Sequence, residues 1–121
     1  MIFVFEVRVR PGHSAEEYAE AWVEASRIIQ SQPGARGTRL HRKIGSPDRL
    51  IAIASWESKP ARDAAEGQRD PRVQAILDAQ AQLVDVEILG EYEDPSWIVL
   101  PPHEADERDA TPDETSRKSG P

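Results

Sequence analysis

The chain has 121 residues, no cysteine and a net charge of −7. The length suits a single domain. The missing cysteine excludes disulfides, thiolate metal sites and a cysteine nucleophile, and an acidic chain without a basic run is a poor partner for nucleic acid.

Hydrophobic residues make up only 38% of the chain, and the deficit is local: from Pro101 to Pro121 there is no Val, Ile, Leu, Met or aromatic residue. This stretch holds six acids and three bases, so it carries −3 of the −7. It cannot bury enough apolar surface to offset chain entropy. The organisation expected is one folded domain over residues 1–100 and a disordered acidic tail over 101–121, serving solubility or a partner. No apolar run approaches the roughly 18 residues of a membrane span, and the N-terminus enters a strand pattern directly. Neither membrane span nor signal peptide is expected, and the cytoplasm is the default location.

The first element is "IFVFEVRVR" (2–10), which alternates strictly. Phe3, Phe5, Val7 and Val9 share one face, and Ile2, Val4, Glu6, Arg8 and Arg10 share the other, as in a strand with one apolar and one mixed side. Pro11-Gly12 ends it. Ser14 followed by Glu17 is a capping-box pattern. Tyr18, Trp22, Ala25 and Ile29 then form one helical stripe, with acids early and Arg27 late to suit the helix dipole. The helix should stop before Pro33-Gly34.

"GTRLHRKI" (37–44) and "RLIAIASWE" (49–57) predict two strands joined by the turn "GSPD" (45–48), an antiparallel hairpin. Ser58 caps a following helix with Pro60 in its first turn. That helix breaks at Gly67, and Asp70-Pro71 restarts it along Val73, Ile76, Leu77, Gln80 and Leu83. Val84 to Tyr92 alternates again, with Val86, Ile88 and Tyr92 on one face. "SWIVL" (96–100) is read as a short extra strand or an arm.

The order β-α-β-β-α-β is the split βαβ of an α+β, ferredoxin-like fold with an antiparallel four-stranded sheet. Helices cover one sheet face only. The other carries Ile2, Val4, Ile51, Ile53 and Leu89 among polar residues, so a homodimer packing sheet on sheet through a wet or salt-bridged interface is expected.

Two blocks carry a family likeness. "QPGARGTRLHR" (32–42) resembles the "PG-x-x-G-x-x-L-x-R" that enters strand two of antibiotic biosynthesis monooxygenases. "SWESKPARDAA" (55–65) resembles their strand-three tryptophan with its acid and alanine-bearing helix. The resemblance covers about residues 1 to 93. It implies a dimeric α/β barrel with a pocket between sheet and helices in each protomer, and relatives that include cofactor-free oxygenases of phenolic polyketides, quinol oxygenases and haem-degrading enzymes. Haem-degrading relatives have an asparagine on strand one and an iron-ligating histidine on the helix after the tryptophan. This chain has neither at those places, so no haem and no other cofactor is expected.

Trp56 admits two readings: a core aromatic shared with Trp22, or a pocket wall stacking on a flat aromatic molecule. Ala52 and Ala54 share its strand face, and Ala61, Ala64 and Ala65 are small on the facing helix; this leaves room for a pocket or permits tight backbone packing. The substrate-binding candidates are Trp56, Ala52, Ala54 and Trp22. As candidates for chemistry, Trp56 is joined by Arg42, which could hold an anion or pair with Glu6 or Glu57. Tyr92 could donate to an oxyanion or simply be buried. His41 could accept a phenolic proton or be an interface or surface histidine. His13 and His103 are assigned to the surface. The histidines lie in separate elements with no metal-ligand spacing, so no metal site is expected.

The function expected is a cofactor-independent, monooxygenase-like reaction on an aromatic or polyketide-like molecule. The alternative is a non-enzymatic dimeric module that binds a small hydrophobic ligand or a partner protein.

Overall fold

A computed structural model describes residues 1–102. All but the first two residues of the expected acidic tail, and His103 with them, lie outside the described residues. Seven elements follow in order: β1 (Ile2–Val9), α1 (Ala15–Ile29), β2 (Ala35–Lys43), β3 (Ser46–Trp56), α2 (Lys59–Gly67), α3 (Pro71–Gln80) and β4 (Val84–Tyr92). The strands form one antiparallel sheet in the order β2-β3-β1-β4. The ferredoxin-like fold is thus present, with its second helix split in two.

Local chemistry explains the boundaries. The Ser14 Oγ accepts from the Glu17 backbone N–H at 3.1 Å, and the Glu17 carboxylate accepts from the Ser14 N–H, completing the capping box of α1. Ser58 caps α2 by accepting from the Ala61 N–H at 3.1 Å. Asp70 caps α3 through the Arg72 N–H at 2.7 Å. Each of the last two helices has proline in its first turn, where the missing N–H costs nothing.

The hairpin is tighter than the sequence suggests. Its turn is Ile44-Gly45 alone, with Gly45 at φ 85°, and β3 begins at Ser46 rather than Arg49. Pro47, a strand-breaking residue, sits on a strand whose register there shifts between Arg42 and Lys43. Ile44, expected in β2, is at the tip and 98% exposed.

Register fixes the two faces. Phe5 lies opposite Ala52 and Val7 opposite Leu50, while Leu40 lies opposite Ala52 on the other side of β3. These side chains point toward the helices. Val7, Val9, Ala15, Tyr18, Leu50 and Val84 make the buried core, with Phe5, Trp22, Leu40 and Leu83 packed against it.

The remaining face carries Ile2, Val4 and Glu6 of β1 beside Ile51 and Ile53 of β3, and no helix covers it. Beyond β4, residues 96–100 form no strand; Trp97 and Val99 of this arm are 91% and 95% exposed.

A bulge interrupts β4. Phe5 pairs with Ile88, but Val4 pairs with Gly90, so Leu89 is the extra residue. Gly90 has φ 141°, a region that glycine tolerates best, and the Tyr92 ring lies over it. The bulge reverses the alternation. Tyr92, expected beside Val86 and Ile88, instead lies opposite Ile2 on the open face.

Candidate functional site

Between the helices and the covered sheet face lies a cavity of about 330 Å³. The β1 side contributes Phe3 and Phe5, whose rings sit 5.7 Å apart at 48°. From α1 come Tyr18, Trp22 and Ile29, which are members of one helical stripe, and from β3 come Ala54 and Trp56. Val73, Leu77 and Gln80 of α3 line it further, and Val86 and Ile88 of β4, 54% and 66% exposed, border a side open to solvent.

Trp56 ends β3 with its ring 5% exposed. Its backbone is clamped to the first residue: the Trp56 N–H donates to the Met1 carbonyl and the Met1 ammonium donates to the Trp56 carbonyl, both at 2.9 Å. The same ammonium pairs with Asp94 at 2.9 Å. The wall residue is therefore held by backbone bonds, independent of anything in the cavity.

The small residues divide their work. At Gly34, φ is 88° and an added Cβ would come within 2.6 Å of the Ala61 Cβ. The loop carbonyl of Gly34 also accepts from the Glu57 N–H at 2.7 Å. Gly34 and Ala61 thus give close backbone packing of the loop before β2 on α2. Ala54 and Ala65, in contrast, face the cavity, whereas Ala52, 0% exposed between Phe5 and Leu40, is core.

The candidates for chemistry separate. Trp22, Ala54 and Trp56 meet at the cavity, whereas Arg42, His41 and Tyr92 do not. The Arg42 Nη2 donates to Glu16 on α1 at 2.9 Å, not to Glu6 or Glu57. Pairing alternation puts Arg42 on the helix side, where α1 is the near neighbour and presents its first-turn acids. A backbone N–H and then Arg42 hold the Glu16 carboxyl below its usual range. His41 lies opposite Ile51 on the open face and is exposed. Tyr92 is 52% exposed there. His13 lies at the surface beside Glu17, 3.1 Å away.

Two arginines line the cavity, Arg69 of the link to α3 and, on α2, Arg62. The Arg62 guanidinium lies 3.8 Å from the Phe3 ring centroid and donates to Glu91 at 3.1 Å. The sequence marks α2 by its alanines, Ala61, Ala64 and Ala65, and gives no sign that an arginine among them turns to the sheet. The titratable groups of the lining are matched: Glu66 with Arg69, and Asp70 with Arg72 at 2.9 Å. Hydrogen bonds from Arg72 hold Asp70 below the usual carboxylate range. Burial pushes the Tyr18 phenol up to about 12, so it stays protonated at neutral pH. Among the described residues no group of three or more His, Cys, Asp or Glu side chains gathers where a metal could be held. No helix among them is long and apolar enough to cross a membrane.

The profile of antibiotic biosynthesis monooxygenases matches residues 1–81, about two thirds of the sequence and all the elements through α3. The chain belongs to this family. Its fold is shared with SnoaB, a cofactor-independent oxygenase from Streptomyces nogalater, at 17% identity and a TM-score of 0.62, over 79% of this chain and 96% of that one. PA3566 from Pseudomonas aeruginosa is similar at 15% identity and a TM-score of 0.58, over 76% and 93% of the two chains. Among curated proteins none matches. Membership accounts for the paired glycine and tryptophan blocks: in this family member the Pro33-Gly34 turn and the Trp56 strand end meet at α2, on the rim of the cavity.

Proposed function

We propose that this family member is a cofactor-independent, monooxygenase-like enzyme acting on a flat aromatic or polyketide-like molecule. The observation that carries this reading is the aromatic-walled cavity itself, about 330 Å³ between Trp22, Trp56, Phe3 and Phe5. Such walls present π-faces and apolar surface to a planar guest.

The reaction that fits needs little from the protein. A substrate C–H beside a phenol or ketone loses its proton, and the resulting carbanion passes electrons to dioxygen. One oxygen atom stays as a carbonyl and the other leaves as water. The acidic lining side chains are already engaged by arginines, so the substrate must be acidic on its own account. The cavity then supplies shielding and orientation.

Oxygen uptake with a panel of anthrones and quinols tests this. Turnover that is abolished in Trp56→Ala supports it. Binding without oxygen uptake, lost in the same variant, marks a binding module instead. Unchanged binding in Trp56→Ala removes the cavity from either reading.

The partner proposed is a second copy, packed on the open face. Glu6 and Glu87 stand directly opposite each other there, a like-charge pair on neighbouring strands. At the other edge of the face β2 carries Arg39 and His41. Among the described residues neither Arg39 nor Glu87 takes part in an ion pair within the chain. A two-fold axis parallel to the strands lays β2 of one copy over β4 of the other and β3 over β1, so cation meets acid at both edges and the isoleucines of β3 lie over β1 of the second copy. The exposed Trp97 and Val99 of the arm add apolar surface beside β4. Light scattering at micromolar concentration should give twice the chain mass, and a monomeric mass would refute the dimer. In Ile53→Lys the fold should persist while the mass falls to one chain.

A further inference from the structure

One buried polar group in the cavity wall stands unmatched among the described residues. Gln80, the last residue of α3, is 6% exposed and lines the cavity, and its Nε2 is enclosed without a hydrogen-bond partner among the described residues. Its backbone carbonyl is occupied, accepting from the Leu83 N–H at 2.8 Å. Val73 and Leu77 occupy the neighbouring wall positions on the same helix, so a leucine at 80 would continue the stripe at no polar cost. An enclosed amide donor loses its bonds to water and gains none here, which penalises the empty state. The Nε2 is sealed from the cavity in this side-chain position, so a turn of the carboxamide toward the cavity is what would let it meet an acceptor carried by a guest.

We infer that the Gln80 carboxamide is a specificity element of the cavity, donating to an oxygen on the ring edge of the bound molecule. The inference rests on the cavity being a ligand site, as proposed above. The chemistry of the position narrows the class. Gln80 stands at the C-terminal end of α3, where the helix carbonyls concentrate negative potential. An uncharged carbonyl oxygen is accepted there more readily than a full oxyanion. The walls around it are aromatic and aliphatic. The guest is therefore a fused aromatic ketone or quinone, and Gln80 separates it from the hydrocarbon of the same shape. Tyr18, protonated and 2% exposed in the same wall, offers no competing charge.

The test pairs 1,4-naphthoquinone with naphthalene, titrated calorimetrically into the full chain and into Gln80→Leu, with urea unfolding of the ligand-free proteins alongside. The chain has no cysteine to react with the quinone. Expected are an unfolding midpoint for Gln80→Leu equal to or above wild type, an affinity for the quinone that falls by about tenfold, and an affinity for naphthalene that is unchanged or tighter. Gln80→Met, of matched length, should repeat the pattern. An unchanged preference of quinone over hydrocarbon in both variants overturns the inference and leaves the cavity reading standing. So does an unfolding midpoint well below wild type in both, since the amide would then be supporting the fold. A wild-type chain that binds neither probe overturns the cavity reading and this inference with it.

Discussion

Val7 and Arg8 are adjacent on β1. Val7 is wholly enclosed under α1, while Arg8 stands on the open face with Asp85 3.7 Å away. The whole sheet repeats this division. Its covered face packs on the helices of its own chain around an aromatic cavity, with Val86 and Ile88 of β4 left partly exposed; its open face mixes isoleucines with opposed carboxylates and arginines. The first face packs on helices of its own chain, so its few polar groups lie in or beside the core. The second carries no helix of this chain, so its polar groups stand at the surface. One alternating pattern thus writes two different interfaces, and a substitution should be judged by the face it falls on.

The strongest test of that division sets Leu50→Ala against Ile51→Ala. Leu50 is 4% exposed in the core, and its truncation should cost about 2–5 kcal/mol in urea unfolding. Ile51, one residue along, should cost far less in a dilute, monomeric sample; equal losses would break the distinction. Next comes Gly34→Ala, which combines a left-handed φ with the close approach to Ala61. It should cost about 1–3 kcal/mol and loosen α2 from the covered face, visible as faster hydrogen exchange in α2 with β4 unaffected.

A smaller effect is tied to pH. Tyr18 titrates near 12 in the folded chain and near 10 when unfolded. The folded form binds the extra proton between these values. Its contribution is therefore fully present below about pH 10 and lost as pH rises toward 12. The urea midpoint should fall over that window in wild type and fall less in Tyr18→Phe. The smallest effect is Arg42→Gln. The Arg42–Glu16 pair is solvent-exposed, so its loss should leave the unfolding midpoint and the cavity's ligand affinity unchanged. A drop in ligand affinity would return Arg42 to the site.

Much of this architecture is legible in residue patterns that report on near neighbours. The Ser14–Glu17 box, the Asp70-Pro71 restart and the alternation of β1 are local rules, and the corresponding elements form where those rules put them. The misreadings came from geometry that alternation does not encode. One bulged residue at Leu89 turned Tyr92 to the other face. Arg42 was matched to acids on strands or at their ends, because which turn of α1 lies above β2 is a matter of packing rather than sequence spacing. Gln80 was visible only as a member of an apolar stripe. A glutamine at such a position is itself the signal, since burying an amide needs a reason.

The bulge in β4 has a consequence for how this chain can change over time. On an unbroken strand every residue after a given point is tied to the same parity, so an insertion or deletion would exchange the roles of all that follow. Here the exchange has already been absorbed at Leu89-Gly90. Before it the even positions 84, 86 and 88 face the helices, and after it the even positions 90 and 92 face the open side, with a glycine joint between them. Even-numbered positions of one strand thus serve both faces of the sheet, changing sides at the glycine.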